Sequence, residues 1–215
     1  MTELFSRIPE EKRNRILDSA MQVFAANGYE NANTNKIASL AGISVGSLFQ
    51  YFNNKEDLFH STVTYGASVL KSTLENIMTG EEDILNKVEK AIRTIQKHSR
   101  ENGNMIRLYN EMATQSNSKI SSEAVEELEG ITARLYSSLI AKAQQEMEAR
   151  IDCDPKMFAF LLDNIFMMLQ FSYACDYYKE RFKLYVREDI LEQDDFVVEQ
   201  TLKFIKAAFT NKTTT

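Results

Sequence analysis

The chain has 215 residues and a formal net charge of −6 at pH 7, with 44% hydrophobic and 26% charged residues. This balance provides enough apolar surface for a core and is typical of a soluble protein. The opening segment, MTELFSRIPEEKR, lacks the apolar stretch of a signal peptide. The longest apolar run, 157–169, is interrupted by Asp163 and Asn164 and is shorter than the roughly 18 residues of a membrane span. We therefore expect a cytoplasmic protein with no membrane segment.

Two prolines and seven glycines leave few interruptions, and apolar residues recur with the helical period throughout. The pattern predicts an all-α fold of about nine helices. In chain order these cover residues 9–27, 34–41, 45–51, 55–78, 82–100, 105–115, 122–151, 155–185 and 194–210. Thr34 is predicted to cap the second helix, Ser44 the third and Asn54 the fourth.

The second and third helices have about two turns each and are separated by a turn that contains Gly42. A glycine there can adopt the positive φ that such a turn needs, so the segment predicts a helix-turn-helix. Leu48 and Phe52 are expected to face inward, and Phe49 to be core. The outward face of the third helix is small and uncharged, which suits contact with base edges in a major groove.

Several spaced segments of this region match one family. They are TNKIA at 34–38, AGISVGSLF at 41–49, YF at 51–52 and KEDL at 55–58. Over residues 9–60 the chain resembles the N-terminal domain of the tetracycline-repressor (TetR) family. The resemblance implies a helix-turn-helix DNA-binding domain at 1–53, with three helices, and a helical ligand-binding and dimerisation domain at 54–215. It also implies a sequence-specific transcriptional regulator, a homodimer on a palindromic double-stranded DNA operator, usually a repressor that a small ligand releases.

The family pattern implies roles for positions that match it. Thr34 resembles a phosphate contact and Asn35 a base contact, while Tyr51 and Lys55 resemble phosphate contacts. Together with the outward face of the third helix, the predicted DNA-binding residues are Thr34, Asn35, Lys36, Ser44, Val45, Gly46, Ser47, Gln50, Tyr51 and Lys55. Phe49 departs from the family, which commonly has a tyrosine there that bonds to the DNA backbone.

The net charge of the N-terminal region leaves a second function open. Residues 1–60 contain six basic and seven acidic side chains, and a DNA-binding domain usually has a net positive charge. The acidic balance and Phe49 would suit a helical small-molecule-binding or scaffold dimer without operator binding. A gel shift with DNA that flanks the protein's own gene would discriminate the two.

Methionine and aromatic residues are dense in the C-terminal part, and such side chains line cavities for irregular ligands as well as ordinary cores. We predict a site for an unknown apolar or amphipathic small molecule there. The candidate residues are Tyr65, Met105, Tyr109, Met112, Phe158, Leu161, Asn164, Ile165 and Met168. The predicted eighth and ninth helices each have a second apolar face, which indicates a homodimer interface.

Other kinds of site find little support. His60 and His98 have no cysteine or second histidine at metal-ligand spacing, and Cys153 and Cys175 suggest no disulfide framework. We find no catalytic triad, phosphate-binding loop or paired-carboxylate arrangement. We therefore predict no metal, no cofactor and no enzymatic activity.

Overall fold

Helices account for the regular secondary structure of residues 1–114 and 122–210, which are the residues that the computed structural model describes. They are α1 (Glu3–Arg7), α2 (Glu10–Asn31), α3 (Thr34–Leu40), α4 (Val45–Tyr51), α5 (Lys55–Met78), α6 (Ile84–Glu101), α7 (Gly103–Thr114), α8 (Ser122–Gln145), α9 (Pro155–Ala174), α10 (Asp176–Tyr185), a 3-10 turn (Ile190–Glu192) and α11 (Asp194–Phe209). The all-α prediction is confirmed, and about nine helices is close to the eleven α-helices of the described residues. The predicted end of one helix at Gln115 lies outside those residues.

Two helices were missed by sequence reasoning. The five-residue helix α1 is too short to show periodicity, and only its packing reveals it: Phe5 is buried, with its ring centre 4.7 Å from that of Phe52. The predicted helix 155–185 is two helices, because Cys175 adopts an extended conformation (φ −106°, ψ 129°). Apolar residues continue through this point without glycine or proline, so the sequence contains no stop signal there.

Helix caps agree with the prediction at two of three positions. The Ser44 side chain accepts a hydrogen bond from the Ser47 amide at 3.0 Å, and that of Asn54 accepts one from the Asp57 amide at 2.7 Å. The prediction of Thr34 as a cap was wrong by one residue. Asn33 has the extended conformation of a cap and accepts from the Asn35 amide, whereas Thr34 is the first helical residue.

The chain forms two compact units. The first contains residues 1–69 and α7 from Asn104 onward, and the second contains residues 70–103 with the described residues after 120. The division between residues 53 and 54 that the sequence suggested stays a prediction. In the first unit α3 packs against α2 and α4, and α1 packs against α4. The outward side of α4 is therefore left uncovered by the other helices of the helix-turn-helix.

The second unit is built around α9, which packs against α6, α8 and α10. Arg100 of α6 holds the start of α11, donating to the Asp194 carboxylate at 2.7 Å and to the Leu191 carbonyl at 2.8 Å. Its guanidinium also lies 4.6 Å from the centre of the Tyr173 ring. The Tyr173 hydroxyl accepts a hydrogen bond from Gln96 at 3.0 Å, so this polar cluster joins α6, α9 and α11.

One described helix, α9, is long and apolar enough by length and composition to cross a membrane. The central helix of a water-soluble core has the same composition. The contacts of α9 with three other helices, and its many buried residues, are those of such a core helix.

Gly42 provides a test of the turn between α3 and α4. Its φ is +67°, and no atom lies within 4 Å of the position that a Cβ would occupy. Gly42→Ala should therefore destabilise the protein by about 1–2 kcal/mol through backbone strain alone. Gly46 lies inside α4 without positive φ, so Gly46→Ala should stabilise by about 0.5–1 kcal/mol. Urea unfolding followed by circular dichroism measures both, and equal stabilities would contradict this account of the turn.

Candidate nucleic-acid interface

The turn and the two short helices are fixed from inside. Ile37, Ala38 and Leu48 are fully buried, and the small side chain of Ala38 permits close approach of α3 and α4. Arg15 of α2 donates its Nε hydrogen to the Ala41 carbonyl at 3.0 Å, which satisfies a carbonyl at the end of α3. The helix-turn-helix is thus held by apolar burial and by a charged cap.

The outward side of this motif contains most of the predicted DNA-binding residues. On α3, Asn35 and Lys36 are exposed and Thr34 is partly exposed; at the start of α4, Ser44 and Gly46 are exposed. Val45 and Ser47 are partly exposed and Gln50 is exposed. Because α3 and α4 pack against each other, these short polar and small side chains share one surface. A surface of this kind can approach base edges closely and exchange hydrogen bonds with them.

Tyr51 and Lys55 make contacts inside the protein. Tyr51 is only 7% exposed, and its hydroxyl accepts a hydrogen bond from the Lys12 ammonium at 3.2 Å. The Lys55 ammonium donates to the Glu30 carbonyl at 2.9 Å and lies 5.0 Å from the centre of the Tyr29 ring. Neither contact uses all of the ammonium hydrogens. Lys12 was not among the predicted residues; its position beside Tyr51 gives the site a further positive charge that no local pattern indicates.

Phe49 is 42% exposed, so the expectation that it belongs to the core was wrong. Leu48, its neighbour, fills the inward position. Successive residues of a helix are about 100° apart, which turns Phe49 away from the core. An exposed aromatic ring at this edge can pack against sugar or base, but it has no hydroxyl to donate.

The nine predicted ligand-binding residues divide between the two units. In the first unit Met105 and Met112 are buried, and Tyr65 and Tyr109 are partly exposed. The remaining five, Phe158, Leu161, Asn164, Ile165 and Met168, all lie on α9 in the second unit.

On α9, Phe158 packs against Phe209 of α11 with ring centres 4.7 Å apart, and Leu161 is exposed. The Asn164 amide donates to the Phe160 carbonyl of its own helix at 2.7 Å. The carbonyl oxygen of Asn164 can accept, and the second hydrogen of its amide nitrogen can donate, a hydrogen bond that orients a ligand.

Asp163 is a mostly buried carboxyl group next to these residues. Burial raises its pKa to about 6, Glu129 acts in the same direction, and Lys71 opposes them. Tyr136 of α8 is 1% exposed and packs edge-on against Phe166 of α9. Burial, with Asp163 and Glu129, raises the pKa of the Tyr136 hydroxyl as well. The interior of this unit therefore disfavours additional negative charge.

Comparison with known proteins identifies related sequences. The sequence model for "Bacterial regulatory proteins, tetR family" matches residues 16–62. YhgD of Bacillus subtilis (strain 168), described as an uncharacterized HTH-type transcriptional regulator, is 23% identical over 169 residues, or 76% of this chain and 84% of YhgD. The fatty acid metabolism regulator protein of the same organism is 37% identical over 91 residues. That match covers 40% of this chain and 43% of the relative, so it spans less than half of either.

A solved structure has a similar fold. The transcriptional regulator FadR from Bacillus subtilis, in complex with stearoyl-CoA, superposes with a TM-score of 0.70 over 86% of this chain and 95% of that protein. The two sequences are 19% identical in this superposition. At this identity the likeness concerns the arrangement of helices.

Lys55 provides a test of the phosphate contacts. Lys55→Ala should weaken binding to specific and unrelated DNA alike and reduce the slope of log affinity against log salt by about 1, because a phosphate contact contains no base information. Lys97→Ala, which removes an exposed lysine of α6, is the matched control and should leave both unchanged. Fluorescence anisotropy at two salt concentrations measures the effect. Unchanged affinity of Lys55→Ala at both would contradict the assignment.

Asp163 provides a test of the buried carboxyl. Its pKa in the folded protein, about 6, lies above the usual value of about 3.9. The folded state therefore retains the proton, and this contribution to stability is present below about pH 4 and lost as the pH rises through 6. Asp163→Asn should gain roughly 2 kcal/mol relative to wild type between pH 4 and pH 7.5, measured by urea unfolding. A difference that does not vary with pH would contradict the shifted pKa.

Proposed function

Because the chain belongs to the TetR family of bacterial regulatory proteins, we propose that it represses transcription as a homodimer on a palindromic operator and that an amphipathic ligand releases it. It is a DNA-binding transcriptional regulator, and this proposal supplies its finer mechanism. The observation that supports the DNA-binding part is the uncovered, uncharged outer face of α4 beside the exposed Lys36 of α3, both fixed by a buried inner face. The regulator acts on DNA in the cytoplasm and needs no catalytic residue.

A second copy of the chain supplies the other half of the interface. Phe160 of α9 is 61% exposed and Phe204 of α11 is 65% exposed, and Met157 and Leu161 extend this apolar surface. Large exposed apolar side chains on neighbouring helices are typical of subunit interfaces. Pairing of α9 and α11 with their symmetry mates would make a four-helix interface. The two copies of α4 would then lie about one DNA turn apart, roughly 34 Å or more.

The proposed ligand is a long-chain fatty acyl thioester. Two similarities support this class: one relative is a fatty acid metabolism regulator protein, and FadR was solved in complex with stearoyl-CoA. The methionine and aromatic side chains of α9 suit an acyl chain. The carboxyl groups of Asp163 and Glu129 would repel the carboxylate of a free fatty acid, whereas a thioester has no charge at that position.

Release follows from a population shift. The ligand must bind better to the form in which the two DNA-binding surfaces are wrongly spaced. The helix α5 is continuous from Lys55 to Met78, so it connects the predicted phosphate contact with the ligand-binding part of the chain. A differential binding free energy of about 3 kcal/mol would weaken operator binding roughly 150-fold.

The proposal is tested with DNA that flanks the protein's own gene. Light scattering should show that the wild-type protein is a dimer at micromolar concentration. This protein should shift the DNA, and only a palindromic competitor should abolish the shift. Stearoyl-CoA should release the DNA more effectively than stearate does. Ile165→Trp should fill the ligand site and abolish release while operator binding persists. Leu184→Trp, at an exposed position of α10, is the control and should respond like wild type.

Three outcomes would count against parts of this proposal. A stable monomer would contradict the interface, and the absence of a competed shift would favour a ligand-binding dimer without an operator. If Ile165→Trp unfolds the protein, the position is solid core and the ligand lies elsewhere.

A further inference from the structure

The turn at the end of α2 is held by a side chain from far along the sequence. Gly28 has a φ of +72°, which interrupts the helical geometry and turns the next amide out of the regular ladder. The Tyr29 amide donates to Glu111 Oε1 of α7 at 2.7 Å. A Cβ on Gly28 would lie 3.1 Å from the same oxygen. Glycine at this position thus combines the required φ with room for the carboxylate.

The same turn is bonded to the predicted phosphate contact. Lys55 donates to the Glu30 carbonyl and lies over the Tyr29 ring. That ring also packs against Phe59 of α5, with ring centres 5.1 Å apart. Residues 28–30 are therefore joined to α7 through Glu111 and to the start of α5 through Lys55 and Phe59.

The other end of α7 is fixed against α5. Met105 lies close to Gly66 of α5: a Cβ placed on Gly66 would lie 2.5 Å from the Cγ of Met105. Met105 and Glu111 are six residues apart, or about 9 Å along the helix axis. Within the first unit, the start of α7 thus contacts α5 through Met105, and its later part contacts the turn at the end of α2 through Glu111.

We propose that Glu111 is the positioning residue through which α7 sets the orientation of the helix-turn-helix, and that bound ligand acts on DNA binding through this bond. This inference rests on the proposed function. Met105, Tyr109 and Met112 of the predicted ligand site lie on α7 as well, so a ligand that displaces α7 moves Glu111. The displacement then reaches Tyr29, and through Glu30 it reaches Lys55. Glu111 contacts neither DNA nor ligand in this mechanism.

The bond between Glu111 and Tyr29 acts on the spacing of the two helix-turn-helix motifs in a dimer rather than on the recognition of bases by one motif. Glu111 bonds to the Tyr29 amide at the end of α2, so the loss of this bond should leave the fit of one α4 to one half-site unchanged. It changes how the two helix-turn-helix motifs of a dimer match two half-sites at fixed separation. A merely structural role, in which the variant destabilises the DNA-binding unit, would weaken both kinds of binding equally.

The experiment compares Glu111→Ala and Glu111→Gln with wild type on two duplexes, one with the full operator and one with a single half-site. Glu111→Ala should lose about tenfold in affinity for the full operator, equivalent to about 1.4 kcal/mol, and less than about twofold for the half-site. Glu111→Gln retains an oxygen that accepts from the Tyr29 amide, so it should remain within about threefold of wild type on both. Glu81→Ala, at an exposed glutamate outside the helices, controls for the loss of one negative charge.

Release is measured in the same assay with stearoyl-CoA. The ratio of operator affinities without and with stearoyl-CoA should fall about tenfold in Glu111→Ala and be restored in Glu111→Gln. Wild-type affinity of Glu111→Ala for the full operator would overturn the inference, and so would equal losses on both duplexes. If Glu111→Ala does not fold, Glu111→Gln decides the question: a loss of operator affinity well beyond threefold, while its Tyr29 amide exchanges as in wild type, overturns the inference too. Failure of the wild type itself to bind the operator is a different result, which refutes the proposed function.

Discussion

The proposed DNA-binding surface depends on the burial of one face of two helices that are too short to form alone. Helices of seven residues are not stable in water by themselves, and α3 and α4 each have that length. Their structure comes from Ile37, Ala38 and Leu48, which are fully buried. The same burial decides which residues point outward. A recognition surface with small, uncharged side chains is possible here because the buried inner face, assisted by the Ser44 cap, stabilises the motif.

Several basic side chains of the first unit bond to backbone carbonyls of the protein, so the net charge of this unit does not show how much positive charge faces outward. Arg13 donates to the carbonyls of Ser6 and Ile8, and Arg15 donates to that of Ala41. These two arginines cap backbone groups, so a count of basic side chains overstates the positive charge that faces DNA. Lys36 is exposed on α3. This charge distribution predicts weak non-specific attraction to DNA, so specific binding would depend more on shape and on base contacts.

The second unit contains an apolar helix, α9, with a partly buried carboxyl group, that of Asp163, within it. α9 packs on three helices and also has exposed apolar side chains at its start. It therefore contributes side chains both to the core and to an uncovered apolar surface. Asp163 lies within the same helix at a raised pKa. A carboxyl with a pKa of about 6 is mostly ionised at neutral pH, so Asp163 disfavours a negatively charged ligand group near it on α9. Hydrophobicity alone does not impose this constraint.

The sequence by itself determined what depends on neighbours within about four residues. The helical period, the positive φ at Gly42 and the caps at Ser44 and Asn54 follow from local residues, and from them the helix-turn-helix and its outward face. Tertiary structure decided whatever joins distant residues: the bond from Tyr29 to Glu111, the contact of Lys55 with Glu30, and the packing of Phe5 on Phe52. It also decided the break at Cys175, where the apolar pattern continues through the helix end. The physical reason is that periodicity reports which face of a helix is apolar, whereas the partner of that face is chosen by packing of the whole chain.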